Sequence, residues 1–205
     1  MTKLLISIIF HLEAFAMASS EKNKIVAELN NRAASLIDAG RYQEAIKLLT
    51  EVLSLDSSRQ GIFFNRAEAH RLLGNIEAAR KDLLSALQIA PDDPEVLHGL
   101  GLLAYEQDDF PLAMEYYRKA IDKDPAFAPA WNDLGVVEFR SQHYDSARNF
   151  FEKAVALDPD FSEAWFNLAD TYEELGMAEA RAHALSQLRM ARLRSGEKSE
   201  NEEHE

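Results

Sequence analysis

The 205-residue chain contains no cysteine. That absence excludes disulfides, thiolate zinc sites, iron–sulfur clusters, cysteine nucleophiles and a lipid-modified N-terminal cysteine. It leaves the compartment open, because exported proteins can also lack cysteine. Positive charge is scarce as well: 22 Lys and Arg stand against 35 Asp and Glu, a net charge of −13. Binding a nucleic-acid backbone needs a basic face, so no nucleic-acid partner is expected. Long apolar runs are missing. The stretch from Leu4 to Phe10 is far too short to cross a bilayer, so no stable membrane span is expected. What the chain does have is 47% hydrophobic residues, enough for a continuous core in one compact domain or one short repeat array.

The two ends read differently from the middle. Lys3, the apolar run and Ala16-Met17-Ala18 have the outline of an export signal, but His11 and Glu13 interrupt it. Residues 1–25 are therefore set apart as a leader with two readings. Translation starting at Met17 gives a cytoplasmic protein; a functional signal over residues 1–18 gives an exported or periplasmic one. Residues 196–205 carry no apolar anchor and are expected to form a disordered acidic tail.

Between them lies a repeat. Gly40 and Gly74 are 34 residues apart, Gly176 falls in the same register, and Asp108 and Gln142 occupy the two intermediate slots. This divides the chain into blocks 26–59, 60–93, 94–127, 128–161 and 162–195. The fourth position of each block is large: Leu29, Phe63, Leu97, Trp131, Trp165. The eighth is small: Ala33, Ala67, Gly101, Gly135, Ala169. Position 20 is Ala45, Ala79, Ala113 and Ala147, then Arg181; position 24 is Leu49, Leu83, Tyr117, Phe151 and Leu185. Apolar residues at positions 4, 8 and 11 follow helical spacing, so each block opens with an amphipathic helix. The glycine slot breaks that helix by entering the left-handed region. A second helix follows until Pro91, Pro125 or Pro159 stops it. Asp93-Pro94-Glu95 reads as an N-cap, a first turn and a dipole-favoured carboxylate. Small residues at 8 and 20 let paired helices approach, and large residues at 4 and 24 fill the gaps.

Trp131-x-x-Leu134-Gly135 with Ala147-x-x-x-Phe151 and Pro159, and Trp165-x-x-Leu168-Ala169-x-x-Tyr172, resemble the tetratricopeptide repeat family. The resemblance implies an all-α, right-handed superhelical solenoid of about five 34-residue helix-turn-helix repeats spanning 26–195. Arg181, Arg189, Arg192 and Arg194 suit a solvated C-terminal capping helix.

The resemblance also implies that first helices line a concave groove through positions 2, 5, 9 and 12. In the opening blocks these and the neighbouring sixth position give Asn30, Phe64, Asn65 and Arg71 as candidate partner contacts. The middle of the chain gives His98, Leu102, Tyr105, Asn132, Val136 and Phe139, and the last block Phe166, Asn167 and Asp170. Aromatics supply anchoring area and amides can bond an extended peptide backbone. The competing reading is that the Asn residues tie neighbouring helices and the aromatics are core. Repeats of the subtype that clamps the C-terminal carboxylate of Hsp70 or Hsp90 need Lys and Arg at set positions. Only Asn65 matches; Asn30, Ala34, Glu95 and Gly99 stand in the flanking slots, so that specificity is not expected.

No catalytic constellation accompanies the repeat. His70, His98, His143 and His183 lie in different blocks without metal-ligand spacing, and Gly99-Leu-Gly101 sits inside a helix instead of after a strand. Neither a phosphate loop nor a nucleophile elbow is present. The expectation is a non-enzymatic scaffold or adaptor, without metal or cofactor, holding a neutral or basic protein or peptide segment. An assembly or secretion chaperone shielding a client is the alternative.

Overall fold

The computed structural model describes the backbone of residues 2–196 and the side chains of residues 20–196; the acidic tail expected beyond Gly196 lies outside the described residues. Among the described residues there are ten helices and no strand. None of these helices is long and apolar enough to cross a membrane. The chain forms two compact units, residues 1–91 and residues 92–205.

The first unit contains α1 (Thr2–Asp38), α2 (Tyr42–Leu55), α3 (Gln60–Leu72) and α4 (Ile76–Ile89). No glycine or proline occurs before Gly40, so nothing breaks α1 at residue 26, and the helix is continuous through it. Packing does change there. The side chains from Ser20 to Ile25 are exposed, whereas Val26 and Ala33 are buried with Leu49, Val52 and Ile62. One buried carboxylate accompanies this core: Asp82 is 3% exposed. Arg66 grips it through both oxygens, at 2.7 Å each, and donates a further bond to Thr50 Oγ1 at 3.0 Å. A charge so placed needs that compensation.

The second unit contains α5 (Pro94–Glu106), α6 (Phe110–Lys123), α7 (Ala128–Arg140), α8 (Tyr144–Leu157), α9 (Ser162–Glu174) and α10 (Ala178–Ser195). These pair as three hairpins, with α6 also against α7 and α8 against α9. The Asp93 cap is present: its Oδ1 accepts from Glu95 N and Val96 N at 3.0 and 3.2 Å. Trp131 and Trp165 each donate an indole N–H at 3.0 Å to the carbonyl of the proline six residues before, Pro125 and Pro159. The large fourth position thus ties the inter-hairpin turn as well as filling space.

Every hairpin turn uses the left-handed region. Gly40, Gly74 and Gly176 have φ of 71°, 74° and 68°, while Asp108 and Gln142 hold 58° and 62° without being glycine. In each the next amide bonds back to the carbonyl five residues earlier, as in Asn75 N to His70 O and His143 N to Glu138 O, both 2.9 Å.

Hairpin packing is matched in size. A Cβ placed on Gly135 would stand 2.5 Å from Phe151 Cε1 and 2.7 Å from its Cδ1, and one on Gly101 would run into the Tyr117 ring in the same way. Glycine therefore faces an aromatic ring in these two hairpins, whereas the first unit carries Ala33 and Ala67 at the small eighth position and Leu49 and Leu83 at the large twenty-fourth.

The last hairpin departs from the expected columns. Leu185, in the slot of Phe151 and Tyr117, is 40% exposed, and α10 buries Ala184, Leu188 and Ala191 instead. Arg181 is too large for the slot filled elsewhere by alanine, and its guanidinium turns to Glu173 at 2.8 Å. The buried stripe of α10 is accordingly rotated around its axis relative to α6 and α8.

Candidate functional site

In the second unit α5, α7 and α9 lie side by side, joined by polar contacts one residue longer than the repeat. His98 Nε2 donates to Asp133 Oδ2 at 2.7 Å, and Asn167 Nδ2 donates to Asn132 Oδ1 at 3.0 Å. The first unit repeats the device, with Asn65 Nδ2 donating to Asn30 Oδ1 at 3.0 Å.

These bonds reassign several expected contacts. Asn132 is 1% exposed, and its Nδ2 also donates to Asp133 Oδ1 at 3.1 Å, so it is an internal strut and not a surface for a peptide. His98 is packed against the Tyr117 and Phe127 rings at 5.5 and 5.3 Å, which fixes its imidazole on Asp133. The amides of Asn30, Asn65 and Asn167 are each engaged with a neighbouring helix. A buried amide must be satisfied, and the adjacent first helix supplies the partner. In the first unit Arg71 is held by Glu68 through Nε–Oε2 at 2.9 Å and Nη2–Oε1 at 2.5 Å, and Phe64 is half-buried.

The apolar members of the row in the second unit come together. Leu102 and Tyr105 from α5 and Val136 from α7, with Tyr117 beneath, line a cavity of about 280 Å³. Glu106, Asp133 and Glu163 complete its wall. A second hollow of about 70 Å³ shares Val136 and adds Phe139, Arg140 and Phe151, with Asn167 and Asp170 at its far side. Phe166 stands out from α9 at 46% exposed and lines neither.

Charge is distributed unevenly over this face. Arg140 lies 5.3 Å above the Tyr105 ring and 4.8 Å above Phe110, donates to Tyr105 Oη at 3.2 Å, and faces Asp108 at 3.5 Å. Solvent reaches Glu163, yet the protein around it and the negative charge of Asp133 raise its pKa above the ordinary carboxylate value. Burial also raises that of Asp170, as does Glu173 nearby, with Arg181 opposing. Among the described residues no three His, Asp or Glu side chains converge to hold a metal ion.

Sequence reasoning missed Glu106, Asp133, Glu163 and Arg140 as members of this face. Glu163 stands at the second position of its block, one of the groove positions, and could have been read there. Asp133 occupies the column where other blocks carry asparagine, and its charge was the available signal.

Three family models described as tetratricopeptide repeat match residues 36–103, 98–160 and 150–184. The small glutamine-rich tetratricopeptide repeat-containing protein of Dictyostelium discoideum is 28% identical over 107 residues, which is 52% of this chain and 32% of that protein. The peptidyl-prolyl cis-trans isomerase FKBP42 of Arabidopsis thaliana is 36% identical over 77 residues, 38% of this chain and 21% of that protein. The chain thus matches a third or less of the length of these relatives. Among solved structures, Pseudomonas aeruginosa PilF superposes with a TM-score of 0.75 at 16% identity, covering 88% of this chain and 79% of that one. MamA gives 0.63 at 19% identity, covering 81% and 97%. At such identities the likeness is one of fold. That fold supports a protein–protein interaction scaffold, and the family is typically non-enzymatic.

Proposed function

The chain belongs to the tetratricopeptide repeat family, and we propose that its second unit holds a segment of a partner protein along the face of α5, α7 and α9, as a scaffold or adaptor. The observation that carries this reading is the pair of adjoining hollows that share Val136 and are walled by half-buried Leu102, Tyr105 and Phe139. Apolar side chains left half open in a row are what an extended segment needs for anchors. Their backbones sit on two neighbouring helices, α5 and α7, so little ordering cost attends binding.

The test is a crosslinking pull-down with the full chain, compared with Tyr105→Ala/Phe139→Ala. Each anchor contributes about 1–2 kcal/mol, so the double variant loses its partner while keeping its helix content. A partner retained by the folded double variant refutes the proposal. Suppression of client aggregation at near-equal stoichiometry, without bridging of two partners, identifies a chaperone instead of a scaffold.

A further inference from the structure

The larger cavity carries more than a plain apolar groove requires. Its base is carbon, from Leu102, Val136 and the ring of Tyr117, and its wall carries carboxylates from three different helices: Glu106, Asp133 and Glu163. His98 holds one oxygen of Asp133 and Asn132 the other, leaving lone pairs on both. Among the described residues Glu163 makes no ion pair, and Arg140 on this face already faces Asp108 at 3.5 Å.

A compact cation does not fit this arrangement, because the carboxylates do not converge on one point. An extended one does. We propose that the cavity receives a lysine or arginine side chain from the segment held on this face, its stem on Leu102 and Val136 and its charged end among Glu163, Asp133 and Glu106. This assignment rests on the reading that the face binds a polypeptide. Long basic side chains combine the two needs in one group, since they bury an apolar stem and keep a charged tip at a polar edge. A volume of about 280 Å³ leaves room for one long side chain. The protein already treats a guanidinium this way next door, where Arg140 lies over Tyr105 and bonds its hydroxyl. Over longer distances the net charge of −13 draws a basic segment in.

The deciding experiment pans a display library of random twelve-residue peptides on the purified full chain, in parallel with Glu163→Gln and with Tyr105→Ala/Phe139→Ala. Peptides enriched on the wild type should share Lys or Arg at one fixed position beside apolar residues. In a synthetic peptide from that set, norleucine at the basic position should weaken binding roughly three- to tenfold, and Glu163→Gln should erase most of that difference. Glu106→Gln, with its helix content checked by circular dichroism, serves as the second variant and should give a similar loss. Peptides that depend on Tyr105 and Phe139 but share no basic position, or whose basic position is indifferent to both Gln variants, overturn this assignment and leave the groove reading standing. No enrichment, or peptides held equally by Tyr105→Ala/Phe139→Ala, overturns both.

Discussion

Gly135→Ala adds one methyl group to a helix interior, where alanine is ordinarily favoured over glycine by about 1 kcal/mol. Here that gain meets the Phe151 ring. The new Cβ would lie 2.5 Å from Cε1, 2.7 Å from Cδ1 and 2.8 Å from Cζ, against roughly 3.5–4.0 Å for a relaxed carbon contact. The ring or the helix must move by about 1 Å in a fully buried site, and overpacking of that kind costs about 1–3 kcal/mol. Taking the middle of that range, the net loss is about 1 kcal/mol, a fall in melting temperature of about 2–4 °C. Phe151→Leu alone leaves an unfilled gap against Gly135 and costs about 1.5 kcal/mol.

The double variant decides the matter, because it recreates in α7 and α8 the alanine–leucine pairing that α1 and α2 already use at Ala33 and Leu49. If size complementarity governs the pair, Gly135→Ala/Phe151→Leu returns to within about 0.5 kcal/mol of wild type, a coupling of about 2 kcal/mol. Urea unfolding followed by far-UV circular dichroism, across wild type, both singles and the double, measures it. Additive losses, or a Gly135→Ala variant more stable than wild type, would refute the reasoning.

Three other substitutions test separate parts of the structure. Gln142→Gly relieves a side chain from the left-handed region at φ 62° and should stabilise by about 1 kcal/mol, read as a higher urea midpoint with unchanged slope. Asp82→Ala strands the Arg66 guanidinium and should cost about 3 kcal/mol, whereas Arg66→Met/Asp82→Leu should fall close to wild type; a double variant as unstable as the single would show that the ion pair itself holds the hairpin. Glu163→Gln should raise stability at neutral pH. The folded-state pKa of Glu163 is raised, so its favourable contribution is complete below the unfolded value and is lost as pH rises through the folded one. The advantage of glutamine should therefore shrink as pH falls towards about 4, and urea midpoints at the two pH values check it.

The hairpins were legible because their contacts are local. Turn, small slot, large slot and terminating proline all lie within one block, so a column shows each by itself, and even the left-handed turns at Asp108 and Gln142 stood in register with Gly40. The orientation of α10 was not legible. Arg181 announced a departure from the pattern, but the rotation that buries Ala184, Leu188 and Ala191 depends on how a whole helix settles once its small slot is blocked. The start of α1 was likewise read from packing residues alone, whereas a helix continues until something breaks it, and nothing does between Thr2 and Asp38.

The candidate site was harder to read for a geometric reason. Successive first helices meet with an offset of one residue, so the partners are 35 apart and fall in neighbouring columns of a 34-residue alignment: Asn30 with Asn65, His98 with Asp133, Asn132 with Asn167. Each column by itself offers only a polar residue on an inward face, which looks like a free peptide contact. Paired across the offset, the same residues satisfy one another, and what remains open is the apolar row together with Glu163. Glu163 then stands out because the protein around it and, after that, the negative charge of Asp133 both raise its pKa, and Glu163→Gln tests what that costs the fold. A basic side chain arriving from a partner, as proposed, would offset the like charges of Glu163 and Asp133, and the gain in affinity is what remains after the further desolvation of Glu163 on docking.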